Sequence, residues 1–131
     1  YLQLQNLLKK TKKNIKVFYA RFFQVYGEYE KKTRLYPTVI SAAKSNTKIS
    51  IKNPHYLRDF IDVKTASILT LEKFFKNTKK IAISNIATGK PTSIIKFSNS
   101  TWKKYNKRKS KISYNKSKSK NSHVSSLIAK I

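Results

Sequence analysis

The sequence predicts an α/β fold built on a parallel sheet, and three observations carry the prediction. Two short apolar runs, 15–20 and 80–84, are too short for helices and rich in β-branched or aromatic residues, so they read as strands. Two stretches, 1–13 and 64–77, repeat apolar residues at helical spacing and alternate with those strands, as βα units do. The first strand then delivers Arg21, Gln24 and several aromatics to its carboxyl end, which is where open α/β sheets gather ligand contacts. Gly27 closes that run at a point where the backbone can turn.

In chain order, Leu2, Leu4, Leu7 and Leu8 form an apolar stripe, and Lys9, Lys10, Lys12 and Lys13 suit a helix C-terminus. The buried strand 15–20 follows. Residues 24–36 read as a charged loop. Pro37 starts a helix to about Ser45 at a favoured first-turn position. Lys48-Ile49-Ser50-Ile51 alternates as a half-buried strand, Asn53-Pro54-His55 turns, and 57–63 is extended again. After the helix 64–77 and the strand 80–84, residues 85–91 turn through Gly89. Thr92 caps a helix to about Asn106 that buries Ile94, Ile95, Phe97 and Trp102. A short strand is expected at 111–114, a flexible loop at 117–122 and a final helix from Val124 to Ile131. The segment 103–122 is basic and reads as flexible. A sheet of so few strands leaves an edge exposed, blunted by Lys.

At 131 residues the chain is one domain at most. There is no Cys, which excludes disulfides and thiolate metal sites, and His55 and His123 stand apart with no carboxylate cluster. No apolar run is long enough to span a bilayer and no leader pattern opens the chain, so a cytoplasmic location is the expectation. The chain opens on Tyr1 rather than Met, which reads as a cut N-terminus. The net charge is +25, yet Arg21, Arg34, Arg58 and Arg108 are the only arginines. A nucleic-acid reader favours Arg for bidentate contacts, so most of the charge reads as Lys-rich compositional drift.

Four segments resemble one family. Arg21-Phe22-Phe23-Gln24-Val25-Tyr26-Gly27 is similar to the Arg-x-Phe-Asn/Gln-Val-Tyr-Gly signature of the extended short-chain dehydrogenase/reductases, the NAD-dependent nucleotide-sugar epimerases and dehydratases. Arg34-Leu35-Tyr36-Pro37 follows at the family's distance. Arg58-Asp59-Phe60-Ile61-Asp62-Val63 resembles its Arg-Asp-Phe/Tyr-Ile-His-Val segment, and 85–94 its Asn-Ile-Gly-x-Gly-x-x-x-Ser-Ile turn. The resemblance implies a partial Rossmann-like fold: the C-terminal part of the parallel sheet plus a small α+β substrate-binding subdomain. Residues 1–131 would be the C-terminal portion of such an enzyme, with the cofactor-binding half absent.

By that resemblance Phe23 faces the cofactor, NAD or NADP, and Gln24 faces the sugar of a nucleotide-diphosphate sugar. Arg58 clamps the diphosphate with its planar fork. Leu35, Tyr36 and Pro37 wall the base, while Arg21 and Asp59 orient neighbours. Gln24 is similar to the branch acting on CDP-linked deoxysugars. The family's catalytic Tyr-x-x-x-Lys pair is expected just before Tyr1. Tyr105/Lys109 and Tyr114/Lys118 have its spacing only by chance in a Lys-rich tail. The chain departs from the family at Asp62, Lys64 and Thr65, where a His and two acids stand, and at 53–55, where glycines stand. Partners implied are the sugar nucleotide, a separate or upstream cofactor half, and a second subunit, since the family is often dimeric. Two alternatives stay open: a small basic nucleic-acid-binding protein using the 103–120 tail with Trp102, Tyr105 and Tyr114 for stacking, and a degenerate remnant.

Overall fold

The computed structural model describes residues 2–10, 15–114 and 126–127. Helix α1 (Leu2–Lys10) leads to strand β1 (Val17–Phe22), which pairs in parallel with β6 (Ile81–Ile86) over six residues, Val17 opposite Ile81 and Phe22 opposite Ile86. This is the parallel pair expected from the two apolar runs. Helix α3 (Val63–Lys76) overlies it. Ala66 of α3 is buried with Ile86 of β6 and Ile61 of β5 (Phe60–Asp62), and Phe18, Ala20, Val25 and Leu69 pack around them. Of the described side chains of α1, Leu8 is buried while Leu2 and Leu7 are exposed.

A second core lies between α2 (Leu35–Ser45) and α4 (Ile94–Tyr105). Val39, Ala42 and Ala43 of α2 close on Trp102 of α4, with Leu35, Ile49 and Ile112 at the margin. Ile49 belongs to β3 (Ile49–Ile51), which pairs in parallel with β8 (Ile112–Tyr114). The small remaining sheet centres on β4 (Leu57–Arg58), flanked by antiparallel β7 (Thr92–Ser93) and parallel β9 (Ser126–Leu127). A parallel pair under one helix, next to a mixed α+β lobe, is the partial Rossmann-like α/β architecture expected.

Several boundaries differ from the sequence reading, each for a physical reason. The first strand runs two residues later than 15–20 and is half-buried, not buried, because among the described residues it has one strand neighbour. Residues 24–26, read as loop, form strand β2 (Gln24–Tyr26), paired in parallel with β5; the ladder that holds them is distant in sequence and leaves no local pattern. The extended segment 57–63 breaks at Asp59 and gives up Val63 to α3. Asp62 caps that helix by accepting from Lys64 N at 2.9 Å. The strand at 80–84 extends to Ile86. Helix α2 starts at Leu35, two residues ahead of Pro37, which any place in the first turn accommodates. Ser93, not Thr92, caps α4, accepting from Lys96 N, because the helix begins at Ile94 and the cap is the residue directly before it. Ile94 and Ile95 are only half-buried. The expected helix 124–131 is corrected at Ser126–Leu127, which is strand; its other residues, like the loop at 117–122, lie outside the described residues.

Candidate functional site

The run Arg21–Gly27 is one extended chain that changes partners midway. Val17 N donates to Lys80 O at 2.9 Å and Phe23 N donates to Ile86 O at 3.2 Å, so odd-numbered residues face β6. Gln24 N then donates to Asp59 O at 3.1 Å, and Val25 N closes back on Phe23 O at 2.9 Å. The backbone kinks there and passes from β6 to β5. Phe23 and Gln24 therefore sit at the junction of the two ladders, both half-buried. Gly27 ends the run at φ 155°, and a Cβ there would collide with Cγ1 of Val63, so only glycine lets the strand leave beside the start of α3.

Asp59 is the fixed point of the junction. It is 1% exposed, and its carboxylate accepts from Thr88 N (2.9 Å), Thr88 Oγ1 (2.6 Å) and Gly89 N (2.8 Å). A buried carboxylate is tolerable only when its oxygens are satisfied in this way. One side chain thus ties the 87–89 turn to the strand that carries Arg58. Arg58, half-buried, donates from Nη1 to Leu57 O at 2.7 Å, and its guanidinium carbon lies over the Tyr56 ring, 5.4 Å from the centroid, a cation–π placement.

The three residues expected to wall a base do not stay together. Leu35 and Thr38, one turn apart on α2, face a cavity of about 340 Å³ completed by Thr33, Ile49, Ser50, Ile51, Lys52 and Ile94. Tyr36 and Pro37 face a separate cleft of about 490 Å³ with Ile40, Ser41, Lys44 and Tyr105. The helical twist separates neighbours in sequence by about 100°. The cavity is joined to β4 through Ile94, whose N donates to Tyr56 O at 3.0 Å. Neither cavity is lined by Phe23, Gln24 or Arg58. The sequence reading missed Ile49, Ile51 and Ile94 as wall residues. The alternation at 48–51 was the available signal, since it puts both isoleucines on one face of β3.

Tyr36 belongs to an aromatic cluster. Its ring lies 4.9 Å from Tyr26, which meets Phe97 at 4.9 Å, and Phe97 stacks on Phe60 at 3.8 Å, nearly parallel. The Tyr36 and Tyr105 hydroxyls share a hydrogen bond at 3.3 Å. That bond, with burial, pushes the Tyr36 pKa above the ordinary 10.0; burial, then the Asp62 carboxylate, raises that of Tyr26. In alkaline titration followed at 295 nm, both therefore ionise above pH 10, and Tyr36→Phe removes the latest-ionising component. Because the folded values are raised, the stability they carry is full below pH 10 and is lost as pH climbs through them. Tyr105 and Lys109 do not act as a pair on one helix face, because α4 ends at Tyr105.

Among the described residues no group of His, Asp and Glu is placed to hold a metal, and no helix is long and apolar enough to cross a membrane. A dinucleotide phosphate cradle is not among these residues either. Gly27 is pressed against Val63 and Gly89 is bound by Asp59, so neither opens a glycine-rich turn.

No protein-family model and no curated protein matches the sequence. Solved structures do match its fold. The UDP-glucose 4-epimerase of Thermotoga maritima, solved with UDP-glucose, superposes with a TM-score of 0.73 at 18% identity, over 98% of this chain and 41% of that one. The UDP-glucuronic acid 4-epimerase of Bacillus cereus, solved with UDP-glucuronic acid and NAD, gives 0.71 at 19% identity over 97% and 40%. MoeE5, in complex with UDP-glucuronic acid and NAD, gives 0.66 at 24% identity over 88% and 38%. The chain spans about two fifths of the length of these enzymes, and over that span it has the fold of the NAD-dependent nucleotide-sugar epimerases and dehydratases.

Proposed function

We propose that this chain is the substrate-binding, C-terminal portion of a cytoplasmic NAD-dependent nucleotide-sugar epimerase or dehydratase. The observation that carries the reading is the apolar cavity in which Leu35, Ile49 and Ile51 meet Ile94, with Arg58 on the strand joined to its wall. The cavity takes the base, Arg58 takes the diphosphate, and the sugar extends toward Gln24 and Phe23. Tyr36 and Pro37 support α2 from its other side instead of touching the base. NAD, when bound, takes and returns a hydride. The described residues offer that cofactor the Phe23 ring but no phosphate cradle, so a cofactor portion, joined or separate, holds it. Chemistry at the sugar then waits for that portion, and what this chain contributes is binding and orientation. Gln24 makes CDP-linked deoxysugars the first class to compare with UDP-sugars, and a dimer is the expected assembly.

The reading is tested by titrating UDP, CDP and UDP-glucose into the 15N-labelled chain. Shifts at Leu35, Ile49, Ile51 and Arg58 are expected. Arg58→Gln removes a charged hydrogen-bonding fork, contributing about 1.5–3 kcal/mol, and so weakens binding by roughly tenfold or more. No shift at these residues up to millimolar ligand means that the scaffold has lost its ligand.

A further inference from the structure

Between α4 and β8 the chain makes a turn, residues 106–111, that side chains hold in place. Asn106 Nδ2 donates to Ala43 O at 2.8 Å, and Asn106 Oδ1 accepts from Arg108 N at 2.9 Å. Ser110 Oγ donates to Asn99 Oδ1 at 2.7 Å, and Lys111 Nζ donates to Asn46 O at 3.0 Å. Ile49 N donates to Lys111 O at 3.1 Å. These bonds seat the turn on the C-terminal end of α2 and leave Lys107, Arg108 and Lys109 exposed. Lys44 and Lys48, on either side of Asn46, are exposed as well, as is Lys104 in the last turn of α4. A last-turn lysine suits a helix dipole, but Lys107, Arg108 and Lys109 lie past the helix. No acid occurs between residues 31 and 58 or between 73 and 131. Among the described residues, none of these cations has a carboxylate at ion-pair distance. Glu28 and Glu30 line the cleft shared by Lys44 and Tyr105, and Glu30 is held by Arg34 at 2.6 Å. Tyr105 is 41% exposed beside these cations, its hydroxyl bonded to Tyr36 and its ring centroid 5.6 Å from Lys44 Nζ.

We propose that this end binds the phosphate backbone of single-stranded nucleic acid, with Tyr105 as the platform on which one base stacks. Lysines neutralise phosphates as point charges. Of the cations around the turn only Arg108 has the fork that reads guanine, so binding is largely independent of base order. An exposed ring among cations fits an unpaired base, whose face a duplex hides. Trp102 is buried and takes no part. An anionic membrane fits less well, because among the described residues the exposed large aliphatic side chains lie elsewhere, as on α1, α3 and β6. The surface includes neither Arg58 nor Leu35, and it does not rest on the function proposed above.

The probe is fluorescein-labelled oligo-dT, titrated with the full chain across a salt series and followed by anisotropy. The logarithm of the binding constant is expected to fall with that of the salt concentration, by about 0.7 per phosphate contacted. Because a chain of net charge +25 attracts any polyanion, the site is located by two variants of equal charge. Lys107→Gln/Lys109→Gln is expected to make the slope shallower by about 1.4, the share of two contacts, and to weaken binding by about tenfold. Lys79→Gln/Lys80→Gln, exposed just before β6, is expected to keep the parent slope. Equal loss of slope from both pairs, or none from the first, overturns the site. Tyr105→Leu is expected to weaken binding by about fivefold or more with the slope kept, and Tyr105→Phe, which retains the ring, to bind as the parent does. Parent-like binding by Tyr105→Leu, or a loss with Tyr105→Phe, overturns the stacking platform. Millimolar UDP is expected to leave oligo-dT binding unchanged, and displacement by UDP overturns the proposal by placing the strand in the cavity assigned to the base. Sedimentation with phosphatidylglycerol vesicles that the Lys107/Lys109 variant loses, while its oligo-dT binding stays with the parent, overturns it in favour of a membrane.

Discussion

Asp59→Ala lowers the melting temperature by roughly 10–20 °C, the largest effect expected of any single polar substitution in this chain. Its carboxylate is fully buried and accepts from three donors on Thr88 and Gly89. Removal leaves those donors facing a void. Each charge-assisted bond contributes about 1.5–3 kcal/mol, and because they share one carboxylate the losses do not add fully, giving about 3–5 kcal/mol in all. Asp59→Asn is the sharper test. The amide keeps the volume but has one acceptor oxygen where the turn needs two, so a donor stays unpaired and roughly half the loss persists. Thermal unfolding by circular dichroism measures both. If Asp59→Asn melts with the parent, the turn is held by its backbone and not by this carboxylate. Binding should fall with stability here, since the strand that Asp59 anchors also carries Arg58.

Trp102→Ala is the second. The indole is 1% exposed among Val39, Ala42 and Ala43, and deleting a buried Trp costs about 3–5 kcal/mol in lost transfer energy and cavity. The consequence reaches the ligand site because Leu35 and Ile49 pack against the same cluster and line the cavity assigned to the base. Unfolding in urea should show a lower midpoint, and residual nucleotide binding should weaken in parallel. Trp102→Phe separates volume from polarity. Nε1 has no partner among the described residues, so losing that donor carries no penalty, and the smaller ring costs about 1–2 kcal/mol. A Trp102→Phe chain as unstable as Trp102→Ala would mean that Nε1 is bonded in solution.

What the sequence made legible follows the range of the interactions concerned. Strands β1 and β6 and helix α3 were readable because their apolar residues repeat at the period of the element itself. The motif Arg58-Asp59-Phe60-Ile61-Asp62 was readable as a unit by resemblance. The break at Asp59 was not, because it arises from bonds to Thr88 and Gly89, some thirty positions away. Strand β2 was missed for the same reason: its three residues are held by β5 and carry no pattern of their own. The site fared similarly. Leu35 was expected at a base wall and lines an apolar cavity. Tyr36 and Pro37 were assigned with it by the resemblance, and the twist of α2 sends them to another cleft. Asp62 stood out as a departure from the family pattern, and its cap on α3 gives that residue a structural task.

The shift of the chain from β6 to β5 at Phe23 has an evolutionary consequence. One strand serves as the seam between two modules, gripped on opposite edges by different ladders. Replacements at Leu57 and Arg58, which leave the buried Asp59 and Ile61 in place, act on one grip and spare the six-residue ladder of the other. A lineage with this architecture can therefore drift in ligand chemistry, even to the point of silence, while its sheet goes on folding. The inherited scaffold outlives the selectivity once built on it, and new recognition can be tried at the seam without first rebuilding what lies beneath.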